Sequence, residues 1–234
     1  MKLSVVIPVY NEKGTITEIV RRVEQVSLGT NEKEIVIVDD CSTDGTREII
    51  QDIGRSHCVL LLEKNRGKGG ALKAGIKEST GDIIVFQDAD LEYDPNDFPG
   101  LLKPILAGEA SIVFGSRFLG QRFRPWGKGS TMHPSHWAGN KLLTLIFNVL
   151  YGTHLTDVEP CYKMFRREVL KSVQVAADRF EYDIELMCKL VRRGHRIVQL
   201  PIRYNPRSFG EGKKISWKDG ITALKTMVKY RFSD

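Results

Sequence analysis

Cysteine is scarce in this 234-residue chain, and the four present, Cys41, Cys58, Cys161 and Cys188, stand far apart. Their spacing matches no zinc framework and suggests no disulfide scaffold, which fits a reducing compartment. Long apolar runs are absent too. The longest apolar helix candidate, Leu142 to Tyr151, is broken by Thr144 and Asn148 and falls short of the roughly 20 residues that a membrane span needs. The N-terminus enters a strand-like pattern at once, Leu3-Ser4-Val5-Val6-Ile7, without the charged leader and cleavage site of a signal peptide. A cytoplasmic chain, touching membrane only peripherally, is therefore expected. Two nucleotide signatures are missing as well. Gly67-Lys68-Gly69-Gly70 is not a Walker loop, and no Gly-x-Gly-x-x-Gly follows the first strand, so kinase-type and dinucleotide readings lose ground.

What is present suits a globular protein. With 41% hydrophobic and 27% charged residues the chain can bury a full core, and with no repeat or low-complexity linker one domain, 1–234, is expected. The formal charge of +6 is uneven: from Arg192 to Asp234 eleven Lys and Arg face three Asp and Glu. Such a basic segment suits an anionic membrane face or a phosphorylated substrate. Nucleic acid ranks last, because no aromatic-basic motif or recognition helix accompanies the charge.

The chain alternates strands and helices. Leu3–Val9, Glu34–Val38, Val59–Leu62, Asp82–Gln87 and Ser111–Phe114 read as strands. Helices open near Thr15 or Thr17, Thr46 and Pro95, and another follows the stretch Asn65–Ala71 and runs through Lys77. This order predicts an α/β fold with a mostly parallel sheet joined by right-handed crossovers. After Arg117 the alternation stops, and Phe118 to Ser135 reads as a long loop of the kind that often serves binding. Trp137–Tyr151, Tyr182–Val191 and Trp217–Tyr230 follow as helices, with short strands at Tyr162–Phe165 and Ile197–Tyr204.

Open α/β sheets bind ligands beyond the C-terminal ends of their strands. There the sequence places Asp39, Asp40, the Gly67–Gly70 turn, Arg117 and the stretch Asp88-Ala89-Asp90-Leu91-Glu92. In an extended segment Asp88, Asp90 and Glu92 would face one side, and three converging carboxylates call for a hard divalent cation, Mg²⁺ or Mn²⁺.

Val6-Ile7-Pro8-Val9-Tyr10-Asn11-Glu12, Val38-Asp39-Asp40-Cys41-Ser42-Thr43-Asp44-Gly45, Asn65-Arg66-Gly67-Lys68-Gly69, Asp88-Ala89-Asp90-Leu91-Glu92 and Gly115-Ser116-Arg117 occur together and in this order. In this the chain resembles the family 2 glycosyltransferases, and among them the polyprenyl-phosphate sugar transferases of the dolichol-phosphate mannose synthase kind. Thr156-Asp157, Tyr162 to Arg166, Glu181 to Glu185 and Leu200 to Tyr204 extend the likeness over most of the chain. The resemblance implies a GT-A fold, with 1–117 as the donor half and 118–234 as the acceptor half. It also implies a metal-dependent inverting transfer from a nucleotide-diphosphate sugar such as GDP-mannose or UDP-glucose. Carried over, Pro8, Tyr10, Glu12, Asp39, Asp40, Ser42, Lys68 and Asp88 would serve the nucleotide. Asp90 and Glu92 would hold the metal with Asp88 beside them, although similar proteins often carry Gln where Glu92 stands. Lys213, or Lys214, resembles the diphosphate clamp, with Arg203 as a second cation.

Acceptor chemistry separates the subfamilies. A lipid phosphate is already an anion and needs only positioning, for which Arg117, Arg124 and Ser135 match the acceptor region. A sugar hydroxyl needs a base, and Glu181, Asp183 and Glu185 are the pool. A polyprenyl phosphate at the inner membrane face is the expected acceptor, with room for a membrane-protein partner. A saccharide acceptor in surface-polysaccharide synthesis and a non-catalytic nucleotide-sugar binder are the alternatives.

Overall fold

The computed structural model describes residues 1–120, 133–206 and 217–233. Strands β1 (Lys2–Val9), β2 (Glu32–Asp39), β3 (Cys58–Leu61), β4 (Ile83–Phe86), β5 (Ile112–Ser116), β6 (Lys163–Arg166) and β7 (Val198–Pro201) form one sheet in the order β3-β2-β1-β4-β6-β5-β7. The helices are α1 (Ile16–Gln25), α2 (Thr46–Ile53), α3 (Gly67–Glu78), α4 (Phe98–Leu106), α5 (Pro134–Tyr151), α6 (Arg167–Lys171), α7 (Glu181–Arg192) and α8 (Trp217–Phe232).

The central strands are continuous apolar runs because both faces are covered. In β1, Val5, Ile7 and Val9 pack with Ile16, Ile19 and Val23 of α1 and with Leu101 and Ile105 of α4. Val6 points the other way, into a second core with Leu72 of α3 and Ile184, Met187 and Leu190 of α7. At Gly75 a Cβ would stand 2.5 Å from a Val6 methyl, so glycine is what lets α3 lie this close to the sheet.

The sheet departs from a purely parallel one at β6. This strand pairs antiparallel with both β4 and β5, whereas β1, β2, β3 and β4, and β5 with β7, run parallel. The chain leaves β5 at one edge, and α5 follows it. It therefore re-enters as β6 from that same edge, and a right-handed crossover does not apply. Expected element positions otherwise agree to within a few residues. The exceptions are α6, whose five residues are too few for a period to show, and α5, which starts three residues early at Pro134. Proline is tolerated there because its missing N–H is an orphan in the first turn. No helix among the described residues is long and apolar enough to cross a membrane.

Helices α5 and α8 pack against each other, with the Tyr151 hydroxyl donating to the Met227 carbonyl. Leu143, Ile146 and Leu150 of α5 pack against the second core. In α5 Phe147 and Thr144 are buried while Leu142, Leu145 and Val149 are exposed. In α8 Ala223, Met227 and Tyr230 are buried, and the apolar face carrying Ile221, Leu224 and Val228 looks outward.

Candidate active site

The first part of the site is an interlock between the ends of β1 and β2. The Asn11 amide donates to Ser42 Oγ at 2.9 Å, the Thr43 amide to Asn11 Oδ1 at 2.8 Å, and the Glu12 amide to Thr46 Oγ1 at 3.0 Å. Asp39 is buried, and its Oδ2 accepts Arg47 Nε at 2.7 Å. Asp40 accepts the amides of Arg66 and Gly67 at 2.7 and 2.8 Å, which ties β2 to the start of α3. Burial raises its carboxyl above the ordinary range despite these amides. Asp39, Asp40, Ser42 and Glu12 are thus gathered at one edge, beside Pro8 at the end of β1 and an exposed Tyr10.

Backbone strain collects at the same edge. Among the described residues, the non-glycine positions with left-handed φ are Asn11 (53°), Cys41 (63°) and Leu91 (62°). Each follows the C-terminal end of a parallel strand. Such conformations persist where the surroundings over-determine them, and they cluster at functional sites.

The glycine-rich turn has a packing reason that spacing could not reveal. A Cβ on Gly69 would meet Tyr182 Cβ at 2.5 Å, and the Gly70 amide donates to the Asp178 carbonyl at 2.8 Å. The segment before α7 therefore lies directly on the start of α3. Lys68 is left to point at the sheet edge, where its Nζ stands 2.8 Å from Asp88 Oδ1 and 3.8 Å from Asp183 Oδ2. Burial would lower the Lys68 ammonium, but Asp88 and Asp183 outweigh it and hold it above the ordinary lysine value. Burial would likewise raise Asp88, and the Lys68 charge reverses that and keeps it ionised.

The acidic stretch is a turn, which corrects the expectation of an extended segment. Strand β4 ends at Phe86, residues 89 and 90 turn, and the left-handed Leu91 breaks the alternation. Asp90 Oδ1 accepts the Glu92 amide at 3.1 Å, and Glu92 Oε2 accepts the Tyr204 hydroxyl at 3.1 Å. No group of three His, Cys, Asp or Glu among the described residues is placed to hold a metal ion. The donor set still fits a hard cation of the Mg²⁺ type, which is commonly held by one or two carboxylates and completed by substrate phosphates and water. Asp90, part-exposed in the turn, and Asp88 behind it are the carboxylates that would do so. Cys161 lies under this turn and accepts the Asp88 amide on Sγ; burial pushes its thiol up, so it remains protonated.

Arg117, at the end of β5, is held by Asp157: Nε and Nη2 each donate at 2.8 Å. Its guanidinium also donates to the Glu159 carbonyl and lies 5.4 Å from the centre of the Tyr204 ring. Behind the pair, Ser116, Thr156 and Gln199 form a hydrogen-bonded support, and Gln199 Nε2 donates to the Asp157 carbonyl at 2.7 Å. Lys141, near the middle of α5, donates to the Thr156 carbonyl, which brings this helix to the cluster. The exposed Ser135 is in the first turn of α5, with Oγ 2.8 Å from His133 Nδ1. Arg203 reaches outward to Asp97 and Asp94, 2.9 Å from each. Arg124, Lys213 and Lys214 lie outside the described residues.

Two of the base candidates have other partners. Glu185 is buried and accepts the amides of Ala176 and Ala177 at 2.8 and 2.9 Å, with Lys189 at 2.7 Å. Asp183 Oδ1 is 3.0 Å from Lys163 Nζ. Sequence reasoning passed over Arg47, Lys163 and the role of Asp157. For Lys163 a signal existed, a lysine inside the apolar strand Tyr162–Phe165; for Asp157 it was the Thr156-Asp157 pair. A separate cavity of about 600 Å³, lined by Leu28, Leu102, Lys103 and Leu106, opens at the opposite edge, away from all these groups.

The family model "Glycosyl transferase family 2" matches residues 4–174. The chain is 31% identical over 230 residues to the low-salt glycan biosynthesis hexosyltransferase Agl6 of Haloferax volcanii, covering 97% of this chain and 53% of that protein. It is also 31% identical over 223 residues to the dolichol-phosphate mannosyltransferase of Pyrococcus furiosus, covering 91% and 59%. The chain thus spans a little over half the length of these relatives. Among solved structures, glucosyl-3-phosphoglycerate synthase from Mycobacterium tuberculosis superposes over 100% of this chain and 79% of its own, with a TM-score of 0.74 at 23% identity. That crystal holds Mn²⁺, UDP and phosphoglyceric acid, and another crystal of the same enzyme, with a TM-score of 0.70, holds Mg²⁺ and UDP. The architecture held in common is the GT-A fold of glycosyltransferases. With the strand-end motifs in place and the family model spanning most of its length, the chain belongs to glycosyl transferase family 2.

Proposed function

We propose that this chain moves a hexose from a nucleotide-diphosphate sugar, GDP-mannose or UDP-glucose, to a polyprenyl phosphate at a membrane surface. One observation carries the lipid acceptor. Leu142, Leu145 and Val149 of α5 and Ile221, Leu224, Val228 and Phe232 of α8 are all exposed, on two helices packed together. Monomeric proteins rarely leave large contiguous apolar surface in water, and such a surface marks a lipid or protein partner. Lys225, Lys229 and Arg231 are exposed on α8 beside it, as contact with an anionic bilayer requires. The two relatives support the reading, one being named a hexosyltransferase and the other a dolichol-phosphate mannosyltransferase.

In this reading an acceptor phosphate oxygen attacks the anomeric carbon while the bond to the donor diphosphate breaks. The anion needs no base, which agrees with Glu185 being spent on backbone amides and Asp183 on lysines. Asp39, Asp40 and Ser42 with the Tyr10 and Glu12 loop would receive the nucleoside. Asp90, with Asp88 and Glu92, would hold Mg²⁺ or Mn²⁺, whose charge would offset that of the leaving diphosphate. Lys68 adds positive charge at the same edge, and Arg117 orders the acceptor side together with Ser135, Arg124, Arg203 and Lys213 as further cation and hydroxyl candidates. Work at the cytoplasmic membrane face follows from such a donor and acceptor.

The test is transfer of radiolabelled sugar from GDP-mannose and from UDP-glucose to polyprenyl phosphate, with Mg²⁺, Mn²⁺ or EDTA, for wild type and Asp90→Ala. Chloroform-soluble product that needs both metal and Asp90 is expected. Metal-dependent donor hydrolysis without lipid product transfers the assignment to a saccharide acceptor.

A further inference from the structure

Lys163 is a lysine in a place that lysine rarely occupies, since its side chain is 1% exposed in the middle of the sheet. Its Nζ donates to the Pro160 carbonyl, stands 3.0 Å from Asp183 Oδ1 and lies 5.7 Å from the centre of the Phe114 ring. The other Asp183 oxygen is 3.8 Å from Lys68 Nζ, and Lys68 is 2.8 Å from Asp88. Charges therefore alternate along a file, Lys163, Asp183, Lys68, Asp88, supplied in turn by β6, α7, α3 and the turn after β4.

Stability is a poor explanation for this file. Desolvating a buried ion pair costs about as much as the attraction returns, and an apolar pair of similar volume often does better. What charge alternation supplies is placement. Asp183 Oδ1 is buried without a well-directed hydrogen bond, so its carboxylate is held by the field of the ammonium groups around it. Asp183 can attract either lysine. While Lys163 neutralises it, Lys68 is left to Asp88.

We propose that Lys163 is a positioning residue for donor binding, which satisfies Asp183 so that Lys68 stays against Asp88 at the sheet edge where the donor diphosphate is received. This rests on the donor site proposed above. Without the Lys163 charge, the Asp183 carboxylate competes with Asp88 and draws Lys68 inward. Removing both Lys163 and Asp183 abolishes the competition and returns Lys68 to its place.

The experiment is calorimetric binding of UDP and of GDP, each with Mn²⁺, to wild type, Lys163→Met, and the double variant Lys163→Met with Asp183→Asn, each checked by thermal melting. The single variant should lose about tenfold in affinity and the double variant should return to within about threefold of wild type, a non-additivity expected only of coupled residues. A purely structural lysine predicts the opposite order, with the double variant at least as weak as the single. Wild-type affinity in Lys163→Met overturns the inference, and so does a tenfold loss in a folded double variant. The double variant removes both charges of the Lys163–Asp183 pair, so if the single one does not fold, a tenfold loss in the double variant still overturns the inference. Failure of wild type to bind either nucleotide refutes the donor site itself and takes the inference with it, a result distinct from the other two.

Discussion

Asp157, with a side-chain exposure of 0%, grips Arg117 through two parallel hydrogen bonds of 2.8 Å and accepts the Arg117 backbone amide with Oδ2 at 3.1 Å. This bidentate fork fixes the guanidinium plane in a way that a point charge could not. It also joins the end of β5 to the loop before β6, so the side chain and the backbone of Arg117 are set by one carboxylate.

Replacing Asp157 with Asn keeps the shape and removes the charge, leaving a guanidinium buried without its partner. Loss of one member of such a pair costs about 3–5 kcal/mol. Urea unfolding should show a loss of that order, and sugar transfer should fall by about two orders of magnitude. A variant with unchanged stability would mean that Arg117 finds another anion and that Asp157 does not position it.

Acid should unfold the protein through its depressed carboxylates. Burial would raise Glu34, but hydrogen bonds from Lys2, Ser4 and Thr80 outweigh it and bring its pKa from 4.5 to about 2. Burial would raise Asp157 too, and Arg117 reverses that and holds it below the ordinary range. A depressed folded pKa gives stability that is complete above the unfolded value and is lost as pH falls through the folded one. Melting temperature should therefore be level above about pH 5 and drop steadily between pH 4.5 and 2. Glu34→Gln should start lower and lose less across that interval; an unchanged slope would remove Glu34 from the account.

The turn at Gly67–Gly70 gives a packing test. In Gly69→Ala the new methyl would stand 2.5 Å from Tyr182 Cβ and 2.9 Å from the Asp178 carbonyl carbon, neither of which is the end of a flexible side chain. Forcing the segment before α7 away from α3 should cost about 1–3 kcal/mol, as overpacking does. Because Lys68 and Asp183 sit on the two parts being separated, nucleotide affinity should weaken with it. Full stability in this variant would show that the glycine serves ligand approach alone.

How far the site could be read in the sequence depended on whether its contacts were local. Strand ends such as Val38-Asp39-Asp40 were legible because apolar runs stop where polar tips start. The Asp88–Glu92 stretch was legible in composition and not in shape: alternation assumes extended backbone, and Leu91 at a φ of 62° breaks it. Partners far apart in sequence, Lys163 with Asp183 or Arg117 with Asp157, leave no periodic trace. The antiparallel entry of β6 was hidden for the same reason, since strand direction is set by where the connection ends. In α8 two apolar sets lie on different sides, Ala223, Met227 and Tyr230 in the core and Ile221, Leu224 and Val228 outside, and a periodic pattern does not say which of them meets the core.

The outward stripes on α5 and α8 give the last prediction. Leu145 is 59% exposed, Val149 76% and Phe232 79%, so each would gain by leaving water. Fully burying a side chain of this size is worth about 1.5–3 kcal/mol, and each lysine or arginine near an anionic surface adds about 1 kcal/mol. Neither source suffices alone for stable attachment, since the stripe is short and the charges are screened within about 10 Å in 0.1 M salt. Wild type should therefore float with phosphatidylserine-containing vesicles, less with neutral ones, and less at high salt. Leu145→Glu with Val149→Glu should cut flotation by about tenfold or more, because each carboxylate both removes apolar burial and repels the anionic surface. Nucleotide affinity in that variant should stay at the wild-type value, as neither residue is among the strand-end residues proposed to receive the donor. Flotation that survives the double substitution would assign the apolar face to a protein partner and leave lipid contact to some other surface.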